Sequence, residues 1–137
     1  MANKAKAKGT TFETAVKKYL EANGITSRRT ALSGAKDTGD LEITEPFLAI
    51  VEAKAYKSAL TEGQEKEFRS QTEVEQVNYK EAFRITDDVK GLLVTKSTGQ
   101  SIARSRVQFY SKRYNCWIET RLSDFVEHWK EMLDDIR

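Results

Sequence analysis

Residues 47–54, Phe-Leu-Ala-Ile-Val-Glu-Ala-Lys, constrain the fold more than any other stretch. Five apolar residues follow the break at Glu45-Pro46, and the run ends on an acid and a base two positions apart. A short apolar run behind such a break reads as a strand, here Phe47 to Tyr56. Side chains alternate along a strand, so Leu48, Ile50, Glu52 and Lys54 share one face, and Phe47, Ala49, Val51 and Ala53 share the other. Both faces are apolar until the C-terminal end, so both need cover. Helices on the faces of a mixed sheet meet that need.

The rest of the chain supplies those elements. Phe12, Ala15, Val16, Tyr19 and Leu20 repeat at helical spacing, which predicts a helix from about Thr11 to Asn23, with Thr10 and Glu13 as a capping box and Gly24 as the stop. Ile25–Leu32 reads as a strand, SGAKDTGD as a loop, and Leu41–Thr44 as a short strand. A polar helix is expected over about Glu62–Phe83, with Phe68, Val74 and Val77 facing the core. Gly91–Thr95 reads as a buried strand. Arg106–Tyr110 and Cys116–Thr120 form a hairpin around Lys112-Arg113-Tyr114-Asn115. Ser123 caps a last helix with the stripe Phe125, Val126, Trp129, Met132 and Leu133. The order is helix, three-strand meander, helix, further strands, helix. The expected fold is therefore α/β (α+β), a mixed central sheet flanked by helices. Residues 1–9 read as a basic flexible arm, and residues 10–137 as a single domain of a size that holds one core.

The 137 residues carry a net charge of +2, but the charge is segregated. Residues 1–36 hold eight Lys/Arg and two acids, residues 37–95 seven bases and thirteen acids, and residues 96–121 six bases and one acid. Basic segments around an acidic middle suit a protein that grips phosphates about a metal-binding centre, and they equally suit a solvated surface. With one cysteine and one histidine, the chain cannot build a zinc finger. His128 lies in a late helix with no nucleophile motif beside it, so any catalysis must rest on carboxylates, lysines and metal. The lone Cys116, with neither a signal-like nor a membrane-spanning apolar run, leads to the expectation of a cytoplasmic protein, in the host cytoplasm if virus-encoded, that makes no membrane contact.

Hairpin geometry brings a third residue to the Glu52–Lys54 rim. A turn at Glu45-Pro46-Phe47 pairs Thr44 with Leu48 and sets Asp40 opposite Glu52. Like charges directly opposed across a sheet are destabilising, and a divalent cation removes the conflict. Such an ion activates water and stabilises charge on a phosphate, and Lys54 is placed to assist. By itself, Glu-x-Lys is common by chance. Asp37 is a rival for the Asp40 role but has the wrong parity to face Glu52 without a bulge.

The wider pattern resembles the PD-(D/E)XK nuclease superfamily, and within it the archaeal-type Holliday junction resolvases. Four segments stand in register: the helix GTTFETAVKKYLEANG, the strand ITSRRTAL, the loop SGAKDTGD and the strand FLAIVEAK. The resemblance covers residues 9 to about 56. It implies a restriction-endonuclease-like nuclease core in which Glu13, Asp40 and Glu52 bind metal. Lys54 joins them in cutting the phosphodiester, and Ser33 supports catalysis. Gly39 stands where the family name implies proline. The C-terminal half does not match recognisably.

Several residues keep two readings. Glu13 is either the capping partner of Thr10 or an acid that reaches the sheet rim. Ser33-Gly34 is equally a turn. Arg28 and Arg29 point to opposite faces, so at most one serves the rim. Gln64 and Gln71 read as surface residues, with a place near the site as the alternative. Trp117, Tyr110 and Tyr114 sit among bases and either pack the hairpin or stack on DNA. Arg28, Arg29, Lys36, Lys4, Lys6 and Lys8 are the expected DNA contacts. The resulting expectation is a magnesium-dependent endodeoxyribonuclease that also accepts manganese, needs no small-molecule cofactor, and cuts branched DNA, above all Holliday junctions, as a homodimer. The competing readings are a flap or fork nuclease of the same fold and a non-catalytic DNA-binding module.

Overall fold

The computed structural model describes residues 4–30 and 38–137. Three helices, α1 (Lys4–Ala22), α2 (Glu62–Ala82) and α3 (Leu122–Met132), pack on one six-stranded sheet. Its strands are β1 (Thr26–Arg29), β2 (Leu41–Glu45), β3 (Ala49–Tyr56), β4 (Lys90–Ser97), β5 (Arg106–Ser111) and β6 (Cys116–Arg121), and they lie in sequence order. Every neighbouring pair is antiparallel except β3 and β4, which run parallel and are joined through α2. The mixed sheet flanked by helices is the architecture expected from the sequence.

The two sheet faces differ in chemistry. Ala49, Val51 and Ala53 turn to one side and pack with Phe12, Val16 and Leu20 of α1 and Phe125 of α3 in the main apolar core. Ile50 turns to the other side, where it meets Tyr79 of α2 and Val89 in a much smaller cluster. Much of what lies buried on the α2 side is polar: Glu42, Glu52, Thr72, Glu75 and Gln108 are each at most 2% exposed.

Three expectations need correction. α1 begins at Lys4, not Thr11. The Ala/Lys-rich start has high helix propensity and extends the helix, so Thr10 lies within it and cannot act as its N-cap. α3 starts at Leu122 with Arg121 as its N-cap residue and no side-chain cap bond, which places Ser123 in the first turn. The buried face of α2 is Thr72, Glu75 and Tyr79, whereas Val74 and Val77 are more than half exposed. Apolarity misled here because this helix covers a polar sheet face. The capping role on α2 falls to Thr61 and Gln64, whose side chains and backbone amides bond reciprocally.

Candidate active site

The β2–β3 ladder pairs Leu41 with Val51, Glu42 with Ile50 and Ile43 with Ala49. Asp40 lies just past the end of this ladder beside Glu52, whose charge acts on its carboxyl. The backbone there is closely held: the Asp40 amide donates to the Val51 carbonyl at 3.0 Å, and the Ala53 amide donates to Asp40 Oδ2 at 2.8 Å. Gly39 enters this turn at φ +95°, in a region that L side chains rarely adopt. A Cβ there would also lie 3.4 Å from the Val51 carbonyl oxygen and 3.5 Å from Glu75 Oε2. Proline, with φ fixed near about −65°, is incompatible with this conformation.

Glu52 is 2% exposed. Its Oε1 lies 3.0 Å from Lys54 Nζ and accepts a long bond of 3.4 Å from Gln71 Nε2. Its Oε2 is buried without a hydrogen-bond partner. Lys54 is half-buried, with its ammonium 5.5 Å from the Phe68 ring centroid. Burial acts to lower the Lys54 pKa, but Glu52, by charge and hydrogen bond, together with Asp40 and Glu75, outweighs it and raises it. Burial, then the Glu52 charge, pushes Asp40 up to about 7, against the Ala53 hydrogen bond and Lys54; Glu13 adds to the rise. An unpartnered buried carboxylate oxygen beside an acid that resists ionisation is a site short of positive charge. The residues present therefore fit a small divalent cation, which binds through one or two carboxylates and keeps several waters.

The other expected residues are distributed as follows. Glu13 does not join the pair as a third close ligand. Its carboxylate takes an ion pair from Arg29 at 2.9 Å, and Arg29 also bonds Thr14 Oγ1 at 3.0 Å. Among the described residues no three His, Cys, Asp or Glu side chains are grouped to hold a metal. Arg28 turns to the opposite face from Arg29 and pairs with buried Glu42, which also accepts from the Tyr79 hydroxyl. Ser33, Lys36 and Asp37 lie outside the described residues, as do the side chains of Lys4, Lys6 and Lys8.

Two α2 residues depart from the sequence-based expectation. Gln71, read as a surface residue with a place near the site as the alternative, reaches Glu52. Glu75, one turn further on, is fully buried against the Gly39 turn. The usable signal was the spacing of Phe68, Thr72, Glu75 and Tyr79, a helical stripe that only makes sense over a polar surface.

No protein-family model and no curated protein matches the chain. Among solved structures, it is similar to the Holliday junction resolvase Hjc of the archaeal hyperthermophile Archaeoglobus fulgidus. The identity is 18%, the TM-score 0.49, and the match covers 84% of this chain and 89% of that one.

Proposed function

We propose that this protein is a metal-dependent endodeoxyribonuclease that cuts branched DNA, with four-way junctions as its principal substrate. The observation that carries the reading is the pair of half-buried Asp40 and buried Glu52, short of positive charge, with the Lys54 ammonium 3.0 Å from Glu52 Oε1. A pure DNA binder gains nothing from opposed acids that would face phosphate. The resemblance of residues 9–56 to the junction resolvases supplies the branched substrate, and two-fold junctions suit a homodimer with two sites.

In this reading Asp40 and Glu52 hold Mg2+ or Mn2+, which supplies Lewis-acid activation of water and neutralises charge on the scissile phosphate. Asp40 is aimed by the Ala53 amide, and Glu52 by Lys54 and Gln71. Lys54 presents a compact ammonium to the oxygens on which charge develops. Glu13 lies close enough to bias Asp40 electrostatically, and it holds Arg29 by an ion pair. Ser33, Arg28, Lys36 and the lysines at 4, 6 and 8 are carried in this proposal as auxiliary and DNA-contacting groups. No helix among the described residues is long and apolar enough to cross a membrane, and a cytoplasmic site of action is part of the proposal.

The test is magnesium-dependent nicking of a synthetic four-way junction, with flap, fork and linear duplexes alongside. Asp40→Asn and Glu52→Gln should each reduce cutting at least about a hundredfold while junction affinity holds or rises, since each removes charge near phosphate. Near wild-type cutting by both variants would falsify the assignment. Preference for flaps or forks would move the substrate without moving the site.

A further inference from the structure

The sheet face that carries Asp40, Glu52 and Lys54 continues beyond α2 onto β5 and β6. Val107, Phe109 and Ile118 pack into the α1/α3 core, so alternation turns Tyr110, Trp117 and Arg121 to the α2 side. α2 packs over β3 and β4, which leaves β5–β6 as a half-open shelf along its flank.

That shelf is built of rings and guanidinium groups. Tyr110 and Trp117 are cross-strand partners, edge to face with centroids 6.3 Å apart. Arg137 lies 3.8 Å from the Tyr110 ring centroid, and Arg69 of α2 lies 5.8 Å from that of Trp117. Arg69 also donates to Gln108 Oε1 at 2.8 Å, so these two partners leave its charge unneutralised. The sole acid among residues 96–121, Glu119, is taken by Arg106, which Glu65 also holds. Arg121 at the end of β6 and Lys112 and Arg113 at the hairpin turn are exposed. Glu73 takes Arg137, so the uncompensated charge of the shelf lies on Arg69 and Arg121 beside half-exposed flat rings, which complements a polyanion with flat apolar parts.

Its position decides which part of a DNA it meets. Three strand spacings, about 14 Å, separate β3 from β6, and α2 stands as a ridge over β3 and β4. That ridge lies between a DNA segment on the shelf and the segment at Asp40 and Glu52. We propose that Trp117, Arg69 and Arg121 form a second DNA-binding surface that holds an arm of the branched substrate other than the arm being cut. This rests on the nuclease reading above. The guanidinium groups take phosphate oxygens, and the Trp117 ring packs on a sugar or base.

The test uses the full chain, with binding measured in calcium in place of magnesium. Arg121→Ala, at an exposed position, should lower the slope of log affinity against log salt for a four-way junction by about 0.9, and Arg69→Ala with Arg121→Ala by about twice that. Trp117→Ala should weaken junction binding by about fivefold to a hundredfold. Trp117→Phe should recover most of it, which separates loss of the ring from loss of the fold. Linear duplex binding, and turnover at saturating junction with magnesium, should stay within about twofold, because the shelf is remote from the reacting phosphate. Unchanged junction affinity and salt slope in the arginine variants would overturn the shelf. Equal losses on linear duplex would also overturn it, by placing the shelf on the arm being cut. A wild-type protein that neither binds nor cuts junctions removes the nuclease reading itself. A wild type that cuts while all shelf variants bind normally removes only the shelf.

Discussion

Asp40 stands beside Glu52 at the end of the β2–β3 ladder, and burial, then the Glu52 charge, pushes the Asp40 carboxyl up to about 7. The pair is a fault in a structural protein and a resource in a metal enzyme. Its cost in the metal-free fold is measurable, as are the contributions of the side chains around it.

A pH-dependent cost follows directly. An ordinary aspartate ionises near 3.8, so between there and about 7 the folded chain binds the Asp40 proton more tightly than the unfolded chain does. The stability from this group is complete below the lower value and is lost as pH rises through the upper one. Thermal unfolding in chelator should therefore fall by several degrees more between pH 5 and pH 8 for wild type than for Asp40→Asn. Added magnesium should restore more stability at pH 8 than at pH 5. Parallel pH profiles for the two proteins would show that the carboxylates do not oppose each other.

Lys54 separates transition-state stabilisation from binding. Its ammonium is fixed beside Glu52, where it acts on charge that develops only during phosphoryl transfer. Lys54→Ala should lower single-turnover cleavage of a junction by about two to four orders of magnitude, with much smaller change in affinity. Lys54→Arg should rescue partly, because it keeps the charge but not the compact geometry. Equal rates for all three proteins would leave the site without its cation.

Gln71 acts on Glu52 from the helix. Outer hydrogen-bond partners of metal ligands commonly contribute about 10- to 100-fold in metal affinity or activity. Because the Gln71 bond is long at 3.4 Å, Gln71→Ala should sit at the low end, raising the magnesium concentration for half-maximal cutting by about tenfold. Rate at saturating magnesium should recover most of its wild-type value. A lower plateau with an unmoved midpoint would assign Gln71 to the DNA and not to Glu52.

The polar side of α2 should dominate its stability. Tyr79→Phe removes a donor to buried Glu42 and should cost about 1–3 kcal/mol in urea unfolding. Val74→Lys and Val77→Lys, at positions 58% and 55% exposed, should each change stability by less than about 0.5 kcal/mol. The reverse ranking would mean that the valine face, and not the tyrosine face, is buried.

Local patterning was enough to locate much of this molecule. Period-two alternation in residues 47–54 separated Glu52 and Lys54 from the apolar face of β3, and the short turn at Glu45-Pro46 brought Asp40 to the same end of the hairpin as Glu52. Both are consequences of bond geometry within one hairpin, so sequence suffices. The α1 stripe of Phe12, Val16 and Leu20 was legible for the same reason: its apolar face meets an apolar sheet. Tertiary structure decided what local patterning could not. Which face α2 buries depends on the sheet beneath it, and that sheet offers Glu42 and Glu52, so Thr72, Glu75 and Tyr79 turn inward while two valines turn out. Glu13 illustrates the same limit: its spacing on α1 fitted a cap, yet its partner is Arg29, sixteen residues away on β1. Side-chain alternation is a property of the chain, whereas the partner of a buried charge is a property of whatever the fold brings against it.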